Sequence, residues 1–256
     1  MTASLALSLT LPGFCSSVVP QRFLVQVPVA DLRSSPRPYE KTGEQDPEEE
    51  TQVLYGEPLW ADGETGDWWH VEVPWQPCFH CTQSWGGYPG WIRKEWVAAA
   101  PPSWSETPRH PETRQCVVRE AGRFLGTPYL WGGLSGPDVK GASTRTGVDC
   151  SGLVHLAYRF CGYEVPRDAR DQKKKARSVS AANLVPGDLV FVADAENPEV
   201  AHHVSIYAGG EDMIEAPSTG LRVRRIDFKS KFGKSLHAIV PDVPVDGKVI
   251  SFGHFP

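Results

Sequence analysis

The 256-residue chain has no apolar run of the roughly 20 residues that a membrane-spanning helix needs. No Lys or Arg precedes Arg22, so the basic start of a secretory signal is missing, and Cys15, after Gly13 and Phe14, sits in a poor context for lipoprotein cleavage. The expectation is a cytoplasmic protein with no membrane partner. Positive charge is not in excess either: 26 Lys and Arg against 31 Asp and Glu give a formal charge of -5, which supplies no electrostatic reason to bind nucleic acid. The chain shows no internal repeat. Its six cysteines lack the dense, regular spacing of a disulfide framework and read as reduced thiols. Cys78-Phe-His-Cys81 has one half of a zinc-knuckle spacing, and no second Cys-x-x-Cys completes it, so neither a metal nor another cofactor is expected.

What is present is an ordinary folding composition, 40% hydrophobic and 22% charged, long enough for two domains. Six of the nine tryptophans fall between Trp60 and Trp91, as in a small β-domain core or a binding cleft. Short runs such as Phe23-Leu-Val-Gln-Val, Thr51-Gln-Val-Leu-Tyr, Trp68-Trp-His-Val-Glu-Val and Gly90-Trp-Ile alternate with turn residues and predict a small all-β barrel over residues 21–99, after an N-terminal tail over 1–20. The acidic cluster 44–50 and the stretch 74–87 are expected to be surface loops. Prolines then crowd residues 100–112, which marks a linker. Beyond it, helices are predicted over 113–125 and from Asp149 to Gly162, followed by strands at Leu189-Val-Phe-Val, His203-Val-Ser-Ile-Tyr, Asp212-Met-Ile-Glu-Ala and Leu236-His-Ala-Ile-Val. Helices followed by strands make residues 113–256 an α+β domain with an antiparallel sheet. Lys173-Lys-Lys-Ala-Arg reads as a solvated helix face.

Cys150 falls in the first turn of the second predicted helix, where the helix N-terminus favours the thiolate, although most cysteines are merely small buried residues. His203 opens an alternating segment that turns at Gly209-Gly210. Residues 203 and 215 are equidistant from Gly209, so a hairpin centred there sets His203 beside Glu215, which can accept an imidazole N–H and fix the ring. His202 points to the opposite face.

Six segments now stand in order: Pro128-Tyr-Leu-Trp-Gly-Gly, Val148-Asp-Cys-Ser-Gly-Leu, Val165-Pro-Arg-Asp-Ala-Arg-Asp-Gln, Pro186-Gly-Asp-Leu-Val-Phe, His202-His-Val-Ser-Ile-Tyr and Met213-Ile-Glu-Ala-Pro. Together they resemble the NlpC-type cysteine peptidases from about Thr113 to Val240. That resemblance implies a papain-like α+β core and hydrolysis of amide bonds in peptidoglycan stem peptides, commonly between D-γ-glutamate and a diamino acid. It implies Cys150 as nucleophile, His203 as base and Glu215 where relatives usually carry a second His. It also implies a hydroxyl from Tyr129 near the oxyanion site and substrate contacts from Asp149, Ser151 and Asp168. Ala169 stands where some relatives have Ser, and residues 134–147 are longer than usual. The first half resembles a bacterial SH3-type barrel of the kind that closes one end of the cleft in murein-peptide recycling enzymes. There a Tyr and a Glu hold the free amine of L-alanine, and the resemblance assigns these roles to Tyr88 and, among Glu48, Glu49 and Glu50, to Glu48. The expected partner is therefore a murein-derived peptide; intact murein, an amidase or acyltransferase substrate, and an inactive wall-binding role are the alternatives.

Overall fold

In the computed structural model, residues 21–39, 46–106, 110–137, 139–142 and 144–255 are described. The first half is built of β1 (Gln21–Val25), β2 (Val29–Arg33), β3 (Glu49–Leu54), β4 (Pro58–Thr65), β5 (Trp68–Cys78), β6 (Gly86–Arg93) and β7 (Val97–Ala99). All ladders are antiparallel, in the spatial order β3-β2-β6-β5-β4-β1-β7. Alternation along the strands sends Phe23, Val25, Leu32, Val53, Leu59, Val71, Val73, Tyr88 and Ile92 into one core. The expected barrel does not close: among the described residues no ladder joins β3 to β7. Instead, β3 turns to the second half, where the Gln52 amide accepts from Leu134 N–H and Ser135 Oγ (both 3.0 Å) and donates to the Arg145 carbonyl (2.7 Å).

Two expected loops are corrected. β5 runs on to Cys78 and β6 begins at Gly86, so half of the stretch expected as a long loop is strand and the loop itself is confined to residues 79–85. In the acidic cluster, Glu44 and Gln45 lie outside the described residues, Asp46 is buried against Arg33, and Glu49 and Glu50 start β3. Strand pairing and an ion pair thus override the local composition.

The second half packs α1 (Arg114–Gly122), α2 (Cys150–Phe160) and α3 (Ala169–Lys175) against a six-stranded antiparallel sheet. Its strands are β8 (Arg177–Val179), β9 (Leu189–Asp194), β10 (Asn197–Gly209), β11 (Asp212–Glu215), β12 (Arg224–Asp227) and β13 (Lys248–His254), in the order β12-β11-β10-β9-β13-β8; a short helix, α4 (Phe228–Phe232), follows β12. α2 is buried over most of its length because Leu153, Val154, Leu156, Ala157 and Tyr158 leave it almost no polar face. The strand expected at Leu236-His-Ala-Ile-Val is a 3₁₀ turn; Leu236 and Ile239, three apart, are its buried residues. β13 takes the place in the sheet instead. No helix among the described residues is long and apolar enough to cross a membrane.

The cysteine expectation is also corrected. Cys78 is bonded to Cys81 and Cys116 to Cys161, the second pair joining α1 to the end of α2. Cysteine usage therefore no longer points to a reducing compartment. Cys15 lies outside the described residues. The lysines at 173–175 are not simply solvated, since Lys174 lies over the Phe79 ring and Lys175 over Trp85.

Gly152, one turn into α2, allows the helix to approach the loop before it: a Cβ there would sit 2.3 Å from the Gly133 carbonyl oxygen. Gly122, at the end of α1, has open space around the same position. Gly152→Ala should therefore lose roughly 1–3 kcal/mol in urea denaturation, whereas Gly122→Ala should gain about 0.5–1 kcal/mol. Equal effects at the two sites would contradict the close approach.

Candidate active site

Asp149 starts α2. Its extended backbone and its Oδ1, accepting from the Gly152 N–H at 2.6 Å, cap the helix and leave Cys150 as the first helical residue. The Cys150 side chain is nearly enclosed, close to the backbone of Val204 on β10. Burial pushes the thiol up to about 12, the Asp149 charge adds to this, and the Val204 and Ser151 backbone N–H groups pull against it. Burial thus opposes the thiolate that the helix N-terminus favours. A base is needed to take the proton.

His203 and Glu215 do meet, although not in the expected register. The turn falls at Gly210–Glu211 rather than at Gly209, and with a bulge between Tyr207 and Gly209 Ile206 faces Ile214, which puts Glu215 opposite Ser205 and diagonal to His203. His203 Nε2 lies 2.8 Å from Glu215 Oε2 and 3.4 Å from Ser205 Oγ. Two partners of Glu215 had no signal in the motifs: Arg224 donates to Oε1 at 2.8 and 3.0 Å, and Lys231 to Oε2 at 2.5 Å. Burial raises this carboxyl, but the hydrogen bonds from His203 and Lys231 bring it down to about 2. Glu215 is a fixed anion that holds one imidazole nitrogen and leaves the other, Nδ1, for chemistry.

Beneath Cys150 lies Arg167, fully buried. Its guanidinium donates to Asp149 Oδ1 (3.0 Å) and Oδ2 (2.8 Å), Ser151 Oγ (3.0 Å), the Gly133 carbonyl (3.3 Å) and, across to β3, Thr51 Oγ1 (2.7 Å). Asp149 Oδ2 also accepts from Gly132 N–H at 3.0 Å. Asp149 and Ser151, expected to touch substrate, hold the start of α2 through these bonds and also line the cavity described next.

A cavity of about 310 Å³ opens above these groups, lined by Cys150, Tyr129, Trp131 and His202 and, towards the first half, by Asp168, Tyr88 and Glu50. The Tyr88 hydroxyl lies 3.1 Å from Asp168 Oδ2 and 3.4 Å from Glu50 Oε2. Burial raises the Asp168 carboxyl, opposed by Arg167, and burial with the neighbouring Asp168 charge raises that of Glu50. Burial also raises the Tyr129 and Tyr88 hydroxyls, which stay protonated. Glu48 is corrected: it faces away, accepting from Ser35 Oγ at 2.5 Å and Arg33 Nη2 at 3.0 Å, and Glu50 takes the place expected of it. Along a strand, residues of even separation share a face, so Glu48 and Glu50 would coincide had β3 begun earlier; it begins only at Glu49, after a turn. The Cys78–Cys81 loop carries His80 to the same cavity, and with both sulfurs bonded to each other neither is free to hold a metal.

Residues 126–239 match the NlpC/P60 family. Over 228 residues, 67% of this chain and 73% of the relative, it is 28% identical to a γ-D-glutamyl-L-lysine dipeptidyl-peptidase of Bacillus subtilis. Over 111 residues it is 39% identical to the peptidoglycan endopeptidase RipB of Mycobacterium tuberculosis; there the match covers 42% of this chain and less than half, 44%, of RipB. The crystal structure of an NlpC/P60 family protein from Bacillus cereus superposes with a TM-score of 0.66 at 22% identity, covering 80% of this chain and 94% of that one, which establishes a shared fold across both halves.

Because the Glu215 carboxyl is held at about 2 rather than at its ordinary 4.5, its charged form stabilises the fold above pH 4.5, and that contribution is lost as pH falls through this interval. Glu215→Gln should be less stable at pH 7 by about 2–4 kcal/mol, with the gap to the parent closing in acid. Denaturant midpoints at several pH values read this directly, and equal stability at pH 7 would contradict the network.

Proposed function

We propose that the protein is a cysteine peptidase that hydrolyses the γ-D-glutamyl–diamino acid amide of peptidoglycan-derived peptides and prefers free peptides of the form L-Ala-γ-D-Glu-diamino acid. The observation that carries this reading is the convergence of Tyr88, Glu50 and Asp168 at one end of the cavity that holds Cys150. Two carboxylates and a hydroxyl lining the cavity that also holds the thiol suit an ammonium group. The γ-D-glutamyl-L-lysine specificity named for the Bacillus subtilis relative, which aligns through both halves of this chain, supports the same reading.

In this mechanism His203 takes the Cys150 proton as the sulfur attacks the γ-carbonyl carbon. The C–S bond forms, and the carbonyl π electrons move to oxygen. That oxyanion is met by the Cys150 backbone N–H and the Tyr129 hydroxyl. Collapse expels the diamino acid amine, which takes the proton from the imidazolium and leaves a thioester. His203 then draws a proton from water, which attacks the thioester and releases the D-glutamyl carboxylate and the thiol. Glu215, anionic at any working pH, stabilises the imidazolium throughout. Asp168, Tyr88 and Glu50 hold the L-alanine ammonium.

Cys150→Ala should leave the fold intact and lower turnover by several orders of magnitude, since nucleophile and base act as a unit. With L-Ala-γ-D-Glu-L-Lys as substrate, N-acetylation removes a charged hydrogen-bonding group and should lower kcat/KM at least roughly tenfold. Mass spectrometry of the products checks both statements. Equal rates on free and acetylated peptide would overturn the amine site, and faster digestion of intact murein than of free peptide would favour a wall-cleaving enzyme instead.

A further inference from the structure

The loop between β5 and β6 gathers donors that the proposed reaction does not use. Cys78 closes β5, and its Sγ lies 3.3 Å from His80 Nδ1. Cys81 Sγ lies 4.0 Å from the other ring nitrogen, and the two sulfurs and the imidazole all fall within 4.8 Å of one another. From α3, Asp171 Oδ2 reaches to 2.8 Å from His80 Nδ1. Two sulfurs, an imidazole and a carboxylate therefore stand together. The Cys-x-x-Cys spacing shows only half of this set, because the third donor sits inside the motif and the fourth comes 91 residues after the histidine.

Zinc, bonded to sulfur at about 2.3 Å and to nitrogen or oxygen at about 2.0–2.2 Å, spaces tetrahedral ligands roughly 3.3–3.8 Å apart. The Cys78–His80 separation already has that value, and the Asp171–His80 separation is slightly short of it. Breaking the disulfide lets repulsion between the sulfurs open them towards the same spacing, and Cys81, at the half-buried turn, is the one with room to move. Metal ligands are themselves held by further hydrogen bonds, and here those bonds are in place. Cys81 N–H donates to Cys78 Sγ at 3.2 Å, which suits a thiolate far better than a disulfide sulfur. Phe79 and His80 N–H donate to Asp171 Oδ2 at 2.8 and 3.2 Å. With Nδ1 on a cation, the ring's N–H sits on Nε2, 3.4 Å from Asp168 Oδ2. Lys174 over Phe79 and Lys175 over Trp85 place two cations beside the loop, offsetting the surplus negative charge of two thiolates and a carboxylate around a divalent ion.

We propose that the reduced loop is a zinc site, in which Cys78, Cys81, Asp171 and His80 through Nδ1 hold one zinc-class divalent cation. The disulfide and the bound metal are then mutually exclusive states of one loop. Thiolate and imidazole donors select zinc over magnesium or calcium, which take oxygen ligands. A dithiol reductant supplies two electrons and two protons: the S–S bond breaks, each sulfur leaves as S–H, and the reductant closes into its own disulfide. Zn²⁺ then displaces both thiol protons to water and takes the sulfurs as thiolates. The other disulfide joins two fully buried residues, Cys116 and Cys161, and is shielded from that reductant, whereas Cys81 reaches the surface. Either state closes the loop on itself; only the metal also bonds it to α3, the helix that Asp168 precedes.

The test is a cobalt titration of the full chain, reduced with a dithiol that is then removed without air, for the parent, Cys78→Ser, Cys81→Ser and Asp171→Asn. The reduced parent should bind one Co²⁺ per chain with the sulfur-to-cobalt charge transfer and strong visible bands of a tetrahedral thiolate site, and Zn²⁺ should abolish them. The oxidised parent should show neither. Each serine variant should lose at least half of the charge-transfer intensity, and Asp171→Asn should keep it while binding at least about tenfold more weakly. Cys15 and Cys150 remain in every variant, so bands unchanged in both serine variants would place the metal elsewhere and overturn the site. A reduced parent that binds no metal, or binds it without sulfur charge transfer, overturns it as well, and parental affinity in Asp171→Asn overturns the four-ligand assignment. A second readout needs no variant: zinc should shield Cys78 and Cys81 of the reduced parent from iodoacetamide, and a chelator should expose them, as read by mass spectrometry. Equal labelling with and without zinc sinks the proposal.

Discussion

A fully buried guanidinium has to be met by acceptors on every side, because leaving one buried charge without partners is strongly destabilising. Arg167 imposes that demand on this fold. Its partners are the carboxylate that caps α2, the serine after Cys150, the carbonyl of Gly133 and a threonine of the first sheet. Satisfying it fixes at one stroke the start of α2, the glycine loop beside it and the position of β3 against the second half. The residue that follows, Asp168, is then carried to the floor of the cleft.

Around that anchor the two ends of the cleft are organised by opposite charge. At the β10–β11 end, one buried carboxylate, Glu215, is met by Arg224, Lys231 and His203, so its charge is settled whatever the substrate does. At the other end burial raises the carboxyls of both Asp168 and Glu50, and the Asp168 charge raises Glu50 further. Between them, Cys150 sits in a medium that opposes its thiolate. The two carboxylate sites therefore differ in character: Glu215 is enclosed and held by cations, whereas Asp168 and Glu50 line the open cavity.

Much of this was legible in the sequence, and the misses have physical reasons. Cys150 at a helix start, and His203 and Glu215 on one face of a hairpin, follow from local periodicity, although the turn at Gly210–Glu211 and the bulge beside it set a register that periodicity does not show. Asp168 and Tyr88 came from motif resemblance and fall in one cavity, yet the carboxylate beside them is Glu50 rather than Glu48, because the turn before β3 decides which glutamates belong to the strand. Arg167 stood inside a quoted motif without a role, since nothing about one arginine in a sequence reveals that its acceptors come from three separate segments. The disulfides escaped because pairing is a matter of distance in space: Cys116 and Cys161 are 45 residues apart along the chain. Likewise the open first sheet reflects a surface that β3 shares with the second half, which alternating hydrophobicity cannot distinguish from a barrel edge.

The bond between Thr51 and Arg167 spans 116 residues, and Glu57, buried without exposure, waits 102 residues for Arg159. On a ribosome adding about 5–20 residues per second, the first sheet emerges roughly ten seconds before these partners exist. During that interval Thr51, Gln52 and Glu57 keep only their partners within the first half, Gln76 and Asp31, and lack those supplied by Arg167, the 134–145 segment and Arg159, so the nascent first half has a reason to remain incompletely packed until α2 and the segment after it leave the exit tunnel. Maturation of the cleft is thereby tied to completion of the chain, and any pause in translation between residues 57 and 167 prolongs the exposure of a half-built surface.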